Sequence, residues 1–444
     1  MVDLDLRMVV YTVWMSLLMA VFKEVVGNDT IAFIGSYNLT VVEPVVVMQV
    51  ATLVLLARKR ALRPEITTWF LLGIAAIVFI NLGRGIADDM PSGIRSFRIQ
   101  GAFALYFLMA AFVPRDEAML RQIRDALIVF GLVLCVLVAL RVVLGPQLFL
   151  REVAEDVALI NDGGRPVSAD GALMIGAAII MAVSRAIENV RDRFTRLAVL
   201  AIPVLFVALI FTAQATATIS SLAGLVIVAA LHPSSNRSSR MLLVAVFVLA
   251  GVLFYLALTG VFGRFSLDFL PKYFQYNLLR RSSTIEVRQM IWSGLMHDYQ
   301  RWSLIEQLIG LRNNDLPFIF VPLREGYYWW ASIHSMYYGS FAFMGVVGLV
   351  LYLLMVSLIG LRGLRRAFGP RWTWNSFGGA IPLALLAAFS LFGYSYELRD
   401  EHTVLILVAL VASRPIVNAA KQSARPDFSS VRLTGDSLGV RPYG

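Results

Sequence analysis

The chain has 444 residues, a mean hydropathy of +0.73, 58% hydrophobic and 15% charged residues, and a formal charge of +10. A soluble globular chain carries about 25% charged and 45–50% apolar residues, so the composition excludes a water-soluble enzyme. The basic residues sit in short clusters between apolar blocks, as orientation signals do, which argues against nucleic acid as a partner and for membrane lipid.

A spanning helix needs about 20 mostly apolar residues. Twelve spans are expected, at 8–26, 37–57, 66–83, 99–113, 126–144, 167–184, 196–211, 214–231, 241–260, 334–361, 378–396 and 402–416. The first block follows Asp3, Asp5 and Arg7, not the basic lead of a cleavable signal, and is read as a signal-anchor. The lone Cys135 lies inside an apolar block, so neither an intrachain disulfide nor a cysteine metal site is expected.

Every second connection is arginine-rich. Arg58, Lys59, Arg60 and Arg63 form one cluster; Arg115, Arg121 and Arg124 form the next. Arg185, Arg191, Arg193 and Arg196 follow, then Arg237 and Arg240, then Arg362, Arg365, Arg366 and Arg371. The alternate connections are poorer or acid-balanced, as in the loop with Glu152, Glu155, Asp156 and Asp162. One assignment, with both termini cytoplasmic, satisfies all the short loops. The fold class is therefore all-α and polytopic, with spans one to nine in 1–260 and spans ten to twelve in 334–416. Residues 261–333 form a large helical loop on the outer face, and 417–444 a polar tail expected to be disordered.

The outer loop carries eight basic residues, but long loops translocate regardless of charge. Its density of Phe, Tyr, Trp, Leu and Ile predicts a folded cap rather than a linker. Within it, Ser283 and Glu286 have the spacing of a capping box. Arg288, Ile291, Trp292, Leu295, Met296 and Tyr299 then follow on one stripe at steps of three and four. Arg288 shares the apolar face, either as a snorkelling side chain or as a guanidinium aimed at phosphate. The run Tyr327, Tyr328, Trp329 and Trp330 suits an interfacial belt or stacking on sugars. Of four histidines, His334 stands where the loop re-enters the membrane, while His297 and His402 also fall on the outer side and His232 on the inner. No tight His/Asp/Glu cluster marks a metal site in the outer loops; Asp88-Asp89 and Asp400-Glu401-His402 are too sparse, and no cofactor is expected.

His334-Ser335, nine residues, then Gly345-Val346-Val347-Gly348 resembles the signature of the bacterial O-antigen ligase and polymerase superfamily. Its layout is similar too: about twelve spans, a large penultimate outer loop, and an arginine on a loop helix, here Arg288 with Trp292 four positions on. Arg165, eleven positions before Gly176, is similar to the Arg-x10-Gly pattern of O-antigen polymerases. The resemblance covers mainly residues 160–360. One departure stands out: the turn at 212–218 reads Thr-Ala-Gln-Ala-Thr-Ala-Thr, where the family often has a basic pair. Either Gln214 supplies a neutral donor, or Arg165, Arg264, Arg280 or Arg281 fills the place.

The resemblance implies a metal-independent glycosyltransferase of the bacterial inner membrane. It would move a saccharide from undecaprenyl diphosphate to a sugar hydroxyl on the periplasmic face. His334 would be the base and Arg288 the cation on the leaving diphosphate, with Arg165, Gln214, Arg264, Arg280, Arg281 and Trp292 binding substrate. A polysaccharide polymerase, with a chain-length regulator as a further partner, is the first expectation. A ligase with a lipid A-core acceptor is the alternative. A lipid-linked oligosaccharide flippase is the reading from another class; Glu43 beside Pro44 and Arg141 would be its intramembrane charges.

Overall fold

In a computed structural model the described residues are 3–26, 30–34, 37–144, 166–187, 192–212, 214–231, 281–312, 319–324, 327–331, 333, 335–367, 380–394, 396 and 400–414. The helices are α1 (Leu4–Val26), α2 (Val42–Lys59), α3 (Ile66–Asp88), α4 (Met90–Phe112), α5 (Glu117–Leu144), α6 (Ala169–Ile187), α7 (Arg193–Phe211) and α8 (Ala215–Ala230). They continue with α9 (Arg281–Tyr299), α10 (Leu304–Ile309), α11 (Met336–Ala367), α12 (Ala380–Gly393) and α13 (Asp400–Ser413). Helices α1, α3, α5, α6, α7 and α11 are long and apolar enough to cross a membrane, and four shorter apolar stretches lie in α4, α8, α12 and α13. The chain is thus a membrane protein with six such helices among the described residues, where twelve spans were expected. The expected span at 241–260 lies outside the described residues, as does the tail beyond Arg414.

Two expectations need correction. The fold class is all-helical as expected, but the span expected at 37–57 does not begin as helix, because β1 (Thr30–Ile34) pairs antiparallel with β2 (Tyr37–Thr40), and a second short hairpin pairs β3 (Ile319–Arg324) with β4 (Tyr327–Ala331). Hydropathy does not distinguish an apolar strand from the start of a span, which is why Tyr37–Thr40 was counted into the second helix. The run Tyr327–Trp330 is β4, as its aromatic composition favours. The second correction is the helix start expected at Ser283. Helix α9 already begins at Arg281, so Ser283 and Glu286 lie inside it rather than at its cap. A full capping box does occur at Ser303 and Glu306, opening α10.

Helix α6 is the axis of the bundle. Its spanning window is 94% buried, and it packs on α5, α7, α8 and α12. Small residues permit this, since backbones in an apolar medium gain attraction only by close approach. A Cβ on Gly176 would fall 1.7 Å from Ser221 Oγ of α8, and Ala178 sits where a Cβ on Gly131 of α5 would be. One continuous apolar core runs through the bundle, and a second, small cluster fastens α9 to the start of α11 through Ile291, Trp292, Leu295, Ile333 and Phe341.

The two ends of the bundle differ. At one, arginines close the helix termini. Arg60 Nε donates to Asp5 at 2.6 Å, Arg362 to Glu65 at 2.9 Å, and Arg115 to Glu117 at 2.6 Å. Buried Arg414 donates to the carbonyls of Ala110, at 2.6 Å, and Val113, and Arg366 to that of Ala412 at 2.8 Å. Cations on C-terminal carbonyls also oppose the helix dipole there. The described arginine-rich connections converge on this end, as the alternation along the chain requires. The other end is polar and aromatic, and holds the candidate site.

Candidate functional site

Helix α11 is broken near its start. Gly345 has φ 63°, ψ −169°, inside what is otherwise helix. A side chain there would be strained, and a Cβ would stand 2.4 Å from the carbonyl group of Leu308. The close neighbour is the end of α10, where Gly310, at φ 92°, meets the backbone of Phe343 equally tightly. Leu311 N–H donates to Ala342 O at 2.8 Å. Asn81 of α3 bridges the joint, its Nδ2 donating to Ile309 O at 2.5 Å and Phe343 O at 2.9 Å. Arg84 donates to Asn81 Oδ1 at 2.6 Å and to Gly310 O at 3.0 Å. The end of α10 is therefore docked into a gap in α11, and the first glycine of the Gly-x-x-Gly pair is what the gap requires.

Helix α9 lies across the segment before that gap. Ile291 and Leu295 are fully buried and Trp292 nearly so, as the stripe predicts; Met296, on the same stripe, is 43% exposed. Trp292 Nε1 donates to Ile333 O at 3.0 Å, and its indole stacks on Tyr338 at 4.9 Å. Ile333 and Ser335, the neighbours of His334, are both buried. Beside this contact an open cavity of about 500 Å³ runs along α9, lined by Gln289, Trp292, Ser293, His297, Gln300 and Tyr338 among others.

Arg288 is half-buried one turn before Trp292, with its guanidinium 5.4 Å from the ring centroid of Tyr396. Among the described residues it meets no carboxylate and no hydrogen-bond acceptor. The Tyr396 hydroxyl donates to Gln214 Oε1 at 3.1 Å. Gln214 is 2% exposed, and its Nε2 has no hydrogen-bond partner among the described residues. Behind Tyr396, Phe392 stacks on it at 4.5 Å and meets the ring of His402 edge-on at 5.3 Å. His402 Nε2 lies 3.2 Å from Asp170 Oδ1. The imidazole is 1% exposed, so this buried pair ties α13 to α6 and cannot reach a substrate directly.

Of the residues expected to act, Arg288, Trp292 and Gln214 come to one end of the bundle, with Tyr396 joining Arg288 to Gln214. Arg281 opens α9, and only its backbone is described. His334, Arg165, Arg264 and Arg280 lie outside the described residues. Gly176 packs closely on Ser221. The two charges that a flippase would use are both held in structural contacts. Thr40 donates to Glu43 through backbone N–H and hydroxyl. Arg141 donates to Pro166 O at 2.6 Å and to Glu24 O. Tyr396 and the His402–Asp170 pair escaped sequence reasoning, because Tyr396 has no motif and Asp170 lies 232 positions from His402.

Among the described residues no group of three or more His, Cys, Asp or Glu could hold a metal ion. The arrangement offers a guanidinium, a buried amide and an aromatic wall. Such a set binds anions and sugar faces without a metal. No protein-family model matches the chain, and no curated protein matches it. The functional reading therefore stands on these residues and their geometry.

Proposed function

We propose that the protein is a membrane glycosyltransferase. It transfers a saccharide from an undecaprenyl-diphosphate carrier to a sugar hydroxyl at the periplasmic face of a bacterial inner membrane, as a polysaccharide polymerase. The observation that carries this reading is Arg288. It is a half-buried guanidinium with no carboxylate among the described residues, lying over Tyr396 one turn from Trp292, whose indole holds the backbone next to His334. An arginine kept at an apolar boundary without an acid is suited to an anion that arrives with the substrate.

In the proposed reaction the acceptor hydroxyl attacks the anomeric carbon and its proton passes to His334. The bond from that carbon to the diphosphate oxygen breaks, and the electron pair leaves on the phosphate. Arg288 meets the charge that develops there, where a partly dehydrated site strengthens its effect. The imidazole suits the base because its ordinary pKa, about 6.5, lies near neutrality. The α9 cavity, with aromatic rings and amide side chains, is suited to the sugars next to the reacting bond.

The test is incubation of purified protein with lipid-diphosphate oligosaccharide alone. Elongation supports the polymerase; product only on addition of lipid A-core indicates the ligase, and no product with either removes the reading. His334→Ala is expected to lower transfer by about 10²–10⁴-fold with membrane insertion unchanged. Wild-type product from that variant takes His334 out of the mechanism.

A further inference from the structure

We propose that the arginine-closed end of the bundle binds the phosphate of an anionic phospholipid, in a site formed by Arg63, Arg362 and Arg366 where α3 begins and α11 ends. The site is independent of the glycosyltransferase reading. Arg63, Arg115, Arg362, Arg366 and Arg414 meet here, and the carboxylates that oppose them among the described residues are Glu65 and Glu117. Glu117 takes both Nε and Nη2 of Arg115, at 2.9 and 2.6 Å. Glu65 accepts from Arg362 at 2.9 Å. Among the described residues no carboxylate lies within ion-pair distance of Arg63 or Arg366.

Two observations point to an anion from outside the chain. First, the donors of the cluster are incompletely used. Arg414 is 1% exposed and gives Nη1 to the carbonyls of Ala110 and Val113, yet its Nε and Nη2 have no hydrogen-bond partner among the described residues. That Nε stands 3.8 Å from Glu65 Oε2, the oxygen Arg362 already holds, so the unused edge of the guanidinium faces into the cluster. Arg63 Nε is likewise buried without a partner, and Arg366 has a single carbonyl, that of Ala412. Helix-end carbonyls carry only partial charge, so an excess of positive charge remains, and charge kept from water without a partner is strongly unfavourable. Burial above all drives the Arg414 guanidinium down to about 10; Glu65 opposes this, and Arg63 and Arg362 add to it.

Second, the rim of the cluster suits acyl chains. Ile66 and Trp69 in the first turn of α3, and Leu361 and Leu364 near the end of α11, are all exposed. The two helices pack together, and Arg362 joins their ends through Glu65 and Thr67. Both are long and apolar enough to cross a membrane, so this rim carries their lipid-facing surface up to the arginines. Arg63, Arg362 and Arg366 are only partly buried, which lets a phosphate reach them, while Arg414 adds its charge from behind Glu65. A basic pocket between spanning helices, edged by apolar side chains and an exposed tryptophan, fits a phospholipid headgroup better than a free phosphate.

The test titrates cardiolipin, an anionic lipid with two phosphates, carrying a fluorescent acyl chain, into the full-length protein in maltoside micelles, with thermal unfolding as a check of folding. Wild type should bind it about tenfold or more tightly than phosphatidylcholine with the same label. Arg63→Gln removes a side chain that has no partner to lose, and is expected to weaken binding about fivefold. Arg366→Gln should do the same, and the two together should weaken it about twentyfold. Arg63→Lys keeps the charge and should recover most of the affinity. Arg58→Gln, which removes an exposed arginine at the end of α2, should leave binding within about twofold. Unchanged binding in both Arg63→Gln and the double variant overturns the site; if the double variant unfolds, Arg63→Gln alone decides. Equal weakening by Arg58→Gln also overturns it, as general attraction to a basic surface. So does equal affinity for phosphatidylcholine, or displacement of the lipid by millimolar inorganic phosphate, which would identify a free anion as occupant.

Discussion

Two groups of arginines in the molecule are used in opposite ways. Arg60, Arg115, Arg362, Arg366 and Arg414 at one end, and Arg84 and Arg141 at the other, donate to carboxylates or carbonyls of their own chain. Arg288 instead has only the face of Tyr396 among the described residues, and Gln214, bonded to the same tyrosine, keeps a buried donor unused. A guanidinium on a carbonyl is a structural fastener, whereas one resting on a ring gives up little when an anion arrives. The difference identifies which arginines hold the fold and which are available for chemistry.

The comparison can be sharpened by variants ordered by their effect on stability. Gly345→Val should be the most damaging, costing about 3 kcal/mol or more, because a β-branched residue must adopt positive φ and meet the backbone of Leu308. Limited proteolysis should show the segment carrying α10 released, and an uncleaved segment would refute the docking of α10 on Gly345. Arg414→Met should cost about 2–3 kcal/mol by leaving the carbonyls of Ala110 and Val113 without their donor, read as a lower unfolding temperature in detergent.

Arg288→Ala should change stability by no more than about 0.5 kcal/mol while greatly weakening diphosphate binding. Arg288→Lys should be poor as well, since a point charge loses the forked contact. A large loss of stability in either would make Arg288 a fastener like the others. The smallest effect is expected at Glu306, whose carboxyl is held below the ordinary glutamate value of 4.5 first by the Ser303 side chain. A carboxylate so depressed favours the folded state near neutral pH, and that contribution is lost as the pH falls through the lowered value. Glu306→Gln should therefore flatten only the acid limb of the stability profile, and an unchanged acid limb would remove the cap from the account of α10.

The start of α9 is not legible in local pattern alone. Ser283-x-x-Glu286 and Ser303-x-x-Glu306 have the same spacing, and only the second is a helix start, because α9 already extends through the first. Capping requires the chain before the serine to leave the helix, which no four-residue pattern specifies. The α9 stripe was read better: Ile291, Trp292 and Leu295 are buried as their period demands, since a helix with one apolar face has only one way to hide it.

By itself the sequence determined that this is a membrane protein, where most helices lie, and which connections gather their arginines at one end. Those properties follow from apolar length and charge spacing along the chain, and both are local. Only the tertiary structure decided that Gly345 is a docking point for α10, that Gly176 is required by Ser221, and that Tyr396 joins Arg288 to Gln214. Each depends on groups from helices or turns distant in sequence meeting within a few ångströms, and hydropathy carries no record of which helices become neighbours.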